Sequence, residues 1–336
     1  MIYAVPSVLA KKLALTKERL YGLIGLAVVL ALVPVFLGFN FYYVLLATNV
    51  MLAASLVASW NIIGGYAGQL DLAASAYMAL GAVVTGHLLA SYGLTPWIGM
   101  FLGAGLAVVV AILVGYPTFR FGIKEVWYAL LTSALVVILM RIYYLIYGSF
   151  ETYIPHMEPE WLYLSFRRYE VYYYLLAAMV VIVVWINLKI KSSKLGYYLA
   201  AIREDELAAE ALGIDVRRYK LYALMIYAAL AGIIGGIYIT LTGILSYRLF
   251  DPWLGIVTAV MGIVGGLGSV EGAVLAAVIL RSLEEYLRGA IGATYPGSHL
   301  LVYGIILILV GVLKPEGLAS LIRYIKNKLF YRNRER

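Results

Sequence analysis

Hydrophobic residues in this chain fall in long runs broken by short basic segments, a pattern foreign to the alternating or striped faces of soluble strands and helices. The runs "LYGLIGLAVVLALVPVFLGF" (20–39) and "YYYLLAAMVVIVVWINL" (172–188) approach the roughly 20 residues that carry a helix across a bilayer. Reading such runs against Gly, Pro and charge predicts spans over 20–38, 43–63, 70–91, 97–115, 126–147, 171–188 and 221–243.

Lys and Arg orient these spans. The N-terminus, the turn with Arg120 and Lys124, the stretch 189–220 and the tail 323–336 should all face the cytoplasm. Segment 148–170 then lies outside, where Arg167 and Arg168 are an exception set beside Glu151, Glu158, Glu160 and Glu170. After residue 243 the chain is outside, yet its tail belongs inside, so an odd number of crossings must remain. Two apolar blocks, 254–288 and 299–313, give the wrong parity unless the first is split, most naturally at "GGLGS" (265–269). The expected fold is all-α, a polytopic helical membrane protein of about 8–10 membrane helices including broken or re-entrant segments. It divides into a cytoplasmic segment 1–19, a transmembrane domain 20–322 carrying the cytoplasmic loop 189–220, and a basic cytoplasmic tail 323–336.

Composition agrees. Of 336 residues, 64% are hydrophobic and 13% charged, and the mean hydropathy is +0.91, well above a soluble domain. The first long run follows Lys11, Lys12, Lys17 and Arg19 and shows no small-residue cleavage site, so it is expected to remain as a helix. The net charge of +8 resides mostly between apolar runs, which the positive-inside rule explains better than nucleic-acid binding. No cysteine is present, which excludes disulfides, thiolate metal sites and thiol catalysis.

Two glycine-rich breaks carry the candidate chemistry. "GGYAG" (64–68) and "GGLGS" (265–269) interrupt apolar runs and are each followed by an acidic residue, Asp71 and Glu271. Such breaks free backbone groups that protein or a water-filled path must satisfy, and paired broken helices point to a transporter's pathway. Glycine alone would equally suit close helix packing. Gln69 and Asp71 shift the balance, because an uncompensated Asp in hydrocarbon costs about 2.5–3.5 kcal/mol. Asn61, Gly64, Gly65, Gly68, Gln69, Asp71, Gly265, Gly266, Gly268 and Glu271 are therefore the candidate path residues. Asp71 could face a cavity, pair with Arg141 or cap a half-helix. Arg281, Glu284, Glu285 and Arg288 stand at helical spacings that equally suit a self-neutralising ladder, and are left outside the site.

Between the spans, Leu199 to Leu212 reads as a short amphipathic helix with Gly213 as its stop. Ile202, Ala208, Ala209 and Leu212 share one face, with Asp205 among them. Glu204, Glu206 and Glu210 outweigh Arg203, which favours a partner-docking helix over one resting on lipid.

Here the chain resembles the permease subunits of branched-chain amino acid ABC transporters of the LivM type, from about Trp60 to Leu321. The resemblance is carried by "NIIGGYAGQLDL", "LAAIREDELAAEALGIDVRRYKL", "GIVGGLGSVEGAVLAAVIL" and "VGVLKPEGLAS". It implies that 199–213 is a coupling helix, with Ala200, Arg203, Glu204, Asp205, Ala208, Ala209 and Gly213 meeting the ATPase. It implies two ATP-binding subunits, a second homologous or identical permease, an extracytoplasmic solute-binding protein and a prokaryotic cell membrane with both termini cytoplasmic. ATP and Mg would reside on the partner, and this chain, which has no GxxxxGK[ST] loop, needs no cofactor of its own.

Substrate is less constrained. Where relatives typically read "GYAGLLSLGHAAF", this chain has Asp71 for Ser and Ala73-Ala74 for Gly-His, and "DLAASAYMALGAVV" is also similar to sugar and nucleoside permeases. The segment "GSFETYIPHMEPEW" lacks the usual "TGG" and "GL" elements. Branched-chain or other hydrophobic amino acids are the family default. The alternatives are a sugar, nucleoside or amide permease, or an ion-coupled secondary transporter using Asp71 or Glu271. An enzyme is disfavoured, because His87, His156 and His299 are scattered and neither HExxH nor GxSxG occurs. The 30 tyrosines are expected mainly at membrane interfaces.

Overall fold

The structure is a computed structural model that describes residues 5–123, 125–289, 297, 301, 304, 305, 308 and 317–320. Its elements are α1 (Val5–Phe36), α2 (Phe41–Trp60), a π-helical turn (Asn61–Tyr66), α3 (Ala74–Tyr92), α4 (Pro96–Arg120), α5 (Glu125–Tyr147) and β1 (Thr152–Tyr153). There follow α6 (Glu160–Tyr163), α7 (Tyr169–Lys191), α8 (Lys194–Glu204), α9 (Glu206–Ala211), α10 (Val216–Thr242), β2 (Ile244–Leu245), α11 (Pro252–Gly265) and α12 (Val270–Leu287). Among the described residues, seven helices are long and apolar enough to cross a membrane. The chain is thus an all-α, polytopic membrane protein whose long apolar runs satisfy their backbone groups internally.

Two packed groups position the site. Helices α3, α4 and α10 pack on one another, and α2 packs on α7 and α12. Small residues permit the first group: a Cβ at Gly81 would overlap the carbonyl of Gly232 on α10, and one at Gly103 of α4 would lie 2.7 Å from the Gly81 Cα. At the end remote from α8, β1 and β2 pair antiparallel, Thr152 with Leu245 and Tyr153 with Ile244.

The expected split at "GGLGS" is present, since α11 ends at Gly265 and α12 begins at Val270. The Ser269 side chain accepts from Gly272 N and caps α12. The predicted blocks at 299–313 and 323–336 lie largely outside the described residues.

The helix expected over 199–212 is corrected. It starts earlier, at Lys194, where Ser193 caps Gly196 N, and it breaks at Asp205. Asp205 is extended (φ −157°), and its Oδ1 accepts from Leu207 N at 2.8 Å and Ala208 N at 3.1 Å, starting α9 afresh. An Asp that competes for backbone N–H groups favours a cap over a helix interior. The expected common face therefore divides: Ile202 and Ala209 are buried with Val216, whereas Ala208 and Leu212 are exposed. Gly213 follows α9 in the left-handed region (φ +82°), the conformation of a helix stop.

Candidate functional site

The two glycine breaks, 200 residues apart in sequence, touch. A Cβ at Gly65 would lie 2.7 Å from the backbone N of Gly268, and Gly268 N donates to Asn61 Oδ1 at 3.2 Å. Trp60 binds the pair from the side. Its ring occupies the space where Cβ atoms of Gly64 and Gly262 would stand, and its Nε1 donates to the Asp71 carbonyl at 2.7 Å. Asn61 opens the π-helical turn (Asn61–Tyr66) that carries Gly64 and Gly65, an interruption of the helical bonding of a kind frequent at functional sites. "GLAS" (317–320) joins from the far end of the chain, with Leu318 N donating to Val264 O at 2.9 Å and Gly317 seated against Gly266.

Onto this junction α8 lays one arginine. Arg203 Nη1 donates to Gly65 O at 2.8 Å, while the side-chain stem crosses Gly68. Gly68 has φ +70° and Gly268 φ +79°, and a Cβ on either would come within 2.8 Å of Arg203 atoms. The four sequence motifs thus converge on one place.

Asn187 of α7 completes the polar contacts. Asn61 Nδ2 donates to Asn187 Oδ1 at 3.1 Å, and Asn187 Nδ2 donates to Ala58 O and Val183 O. Sequence reasoning missed Asn187, although an amide within the run 172–188 is a signal of buried function or structure.

Asp71 lies deeper, with no solvent exposure. Its Oδ1 accepts from Ala73 N at 2.8 Å, ahead of α3, and its Oδ2 accepts from Tyr128 OH at 3.0 Å. Arg141 does not reach it: that side chain is exposed on α5. Tyr77, Tyr128 and Tyr227 are each wholly buried around the carboxylate. These three are interior residues whose rings fill the α3, α5 and α10 junction, apart from the interfacial position expected of most of the tyrosines.

The remaining candidates separate by exposure. Asn61, Gly64, Gly65, Gln69, Gly265 and Gly266 are buried, Gly268 is half-buried, and Gly68 is exposed. Glu271 is also exposed, its Oε2 accepting from Ser269 Oγ at 3.4 Å in the first turn of α12. On α8 and α9, Ala200, Glu204, Asp205 and Ala208 are exposed, while Ala209 packs inward. Exposed apolar side chains accompany them, Tyr197 at 68%, Leu207 at 74% and Leu212 at 81%. Behind α9 the buried Lys220 pairs with Glu206, beside a cavity of about 200 Å³ lined by Phe119, Ile123, Leu207 and Glu210. The Arg281, Glu284, Glu285 and Arg288 group forms a ladder, with Arg281 contacting the two glutamates at 2.7 and 2.8 Å. His87 stacks on Tyr147 with ring centroids 4.3 Å apart. Among the described residues no group of three His, Cys, Asp or Glu side chains is placed to hold a metal ion.

The family described as "Branched-chain amino acid transport system / permease component" matches residues 40–311. The chain belongs to this permease-component family. The permease is 26% identical over 304 residues to the high-affinity branched-chain amino acid transport system permease protein LivM of Escherichia coli, covering 83% of this chain and 70% of that one. The LivM protein of Salmonella typhimurium gives the same identity and coverage. A probable branched-chain amino acid transport permease protein LivH of Methanocaldococcus jannaschii is 27% identical over 147 residues, 42% of this chain and 46% of that one. No solved structure matches. Membership in this family makes the chain a polytopic transport permease rather than an enzyme.

Proposed function

We propose that this permease is the membrane subunit of an ABC importer that forms the path for branched-chain or other hydrophobic amino acids. Two ATP-binding subunits drive it from the cytoplasmic side by docking on α8 and α9, and ATP and Mg reside on them. A second permease subunit, homologous or identical, shares the membrane domain, and an extracytoplasmic solute-binding protein delivers substrate. Both termini then lie in the cytoplasm of a prokaryotic cell.

The observation that carries this reading is the Arg203 contact with both glycine breaks. The bent pair α8 and α9 exposes Tyr197 on the first helix and Leu207 and Leu212 on and just after the second, while Arg203 of α8 holds the broken membrane segments, so a push on the pair reaches the candidate path through one side chain. Alternating access follows as movement of packed helices about that junction. The names of the relatives support an amino acid substrate.

The test is mass spectrometry of what co-purifies with the chain from its native membranes in mild detergent. A P-loop ATPase that is lost on substituting Arg203, Asp205 and Ala208 supports the importer. Recovery of the chain alone, still transporting under an ion gradient, overturns it in favour of an ion-coupled secondary transporter.

A further inference from the structure

We propose that Asp71, Tyr77, Tyr128 and Tyr227 form an occluded binding site for a small monocation, either an alkali metal ion or the primary ammonium group of a transported solute. The Asp71 carboxylate is fully buried and accepts two hydrogen bonds, about half of what its lone pairs can take. Among the described residues no Lys, Arg or His forms an ion pair with it. A buried, unpaired carboxylate is expensive in a membrane protein and marks a functional site by default.

Capping of α3 explains only part of the arrangement. The bond from Ala73 N to Oδ1 is a local turn, and it leaves the surrounding hydroxyls unexplained. Tyr77 and Tyr227 hold their rings edge to face with centroids 5.5 Å apart, both wholly buried, and neither hydroxyl has a hydrogen-bond partner among the described residues. Both lie within electrostatic reach of Asp71, and so does Tyr128. The buried Ser75 Oγ, in the first turn of α3, is likewise unpartnered. Leaving several buried hydroxyls unmatched is costly unless something binds them.

The chemistry selects the ligand. Every candidate donor is oxygen, one of them anionic, which suits a hard cation or a hydrogen-bonding ammonium and disfavours soft metals. The donors come from the segment before α3, from α3 itself, from α5 and from α10, so rearrangement of these helices would open or dismantle the site. Only the ammonium arm rests on the transport reading above.

The test is thermal unfolding of the full chain, with the subunits that accompany it, in lipid nanodiscs at equal concentrations of NaCl, KCl, methylammonium chloride or choline chloride. Choline, whose quaternary ammonium has no N–H to donate to the carboxylate or the hydroxyls, is the reference. At least one of the other salts should raise the midpoint by about 3 °C or more. Response to Na⁺ or K⁺ assigns a metal ion, and response to methylammonium alone assigns an ammonium group. The rise should vanish in Asp71→Asn and in Tyr77→Phe/Tyr227→Phe. The double variant removes only two hydroxyls and should be as stable as wild type in choline, so a folding defect cannot imitate loss of binding. Equal midpoints in all four salts, or a rise that survives in the double variant, would overturn the site. Co-purification of an ATPase is unaffected by either result, which keeps the importer reading separately testable.

Discussion

Arg203 Nη1 donates to the carbonyl oxygen of Gly65 at 2.8 Å, a contact between residues 138 positions apart that ties an exposed helix to a break in a membrane helix. Gly68 and Gly268, both in the left-handed region, leave room for the guanidinium and its stem to reach that carbonyl. Under the importer reading this contact transmits the ATPase stroke. Arg203→Met keeps the stem and removes the donor, at a cost of about 1.5–3 kcal/mol for a charge-assisted hydrogen bond. In the reconstituted complex, solute-stimulated ATP hydrolysis should fall at least roughly tenfold with basal hydrolysis retained. Undiminished stimulation would remove Arg203 from the coupling route.

Gly65 has no space for a side chain. Its Cβ would meet Asn61 Oδ1 and sit 2.7 Å from Gly268 N, so Gly65→Ala should destabilise by about 1–3 kcal/mol through overpacking. Gly105, inside α4 with nothing within 4 Å of its Cβ position, provides the contrast. Gly105→Ala should leave the midpoint unchanged or raised. Thermal unfolding in nanodiscs compares them, and equal midpoints for the two variants would contradict the close approach of the breaks.

Asn61 and Asn187 form one unit, so their substitutions should not be additive. Asn187→Leu leaves Asn61 Nδ2 buried without its partner, which costs about 1–3 kcal/mol. Adding Asn61→Leu removes that orphaned group, and the double variant should be more stable than the sum of the single effects predicts. A double-mutant cycle by chemical denaturation measures the difference. Strict additivity would mean that the amide pair contributes nothing as a pair.

What was legible in the sequence follows from which interactions are local. The spans expected between 43 and 243, the split at "GGLGS" and the stop at Gly213 were readable because apolar run length and glycine act within a few residues, whereas the run expected over 20–38 forms only the shorter apolar stretch Tyr21–Phe36 and the span Tyr247–Gly265 was not anticipated as such. The convergence of the motifs was not, since Gly65 meets Gly268 only through helix packing. The place of three tyrosines was not legible for a similar reason. Tyr77, Tyr128 and Tyr227 carry the same composition signal as interfacial tyrosines, and only the fold shows them surrounding Asp71. The break at Asp205 was overlooked because the good helix formers around it outweighed a single residue that prefers to cap.

That break gives the last prediction. Asp205 ends α8 and caps α9 through Leu207 N and Ala208 N, so its side chain sets the angle at which the two short helices meet. Asn caps about as well as Asp, whereas Ala forfeits about 0.5–2 kcal/mol of cap energy. If the bent shape of α8 and α9 is what the ATPase recognises, Asp205→Asn should retain co-purification while Asp205→Ala weakens it and Asp205→Lys, which also reverses the charge, abolishes it. Charge alone would give another order, with Asn and Ala equally impaired. Quantifying the ATPase recovered per permease for the three variants separates cap from charge. Equal recovery from all three would exclude Asp205 from docking and leave the exposed Tyr197, Leu207 and Leu212 as the surface to test.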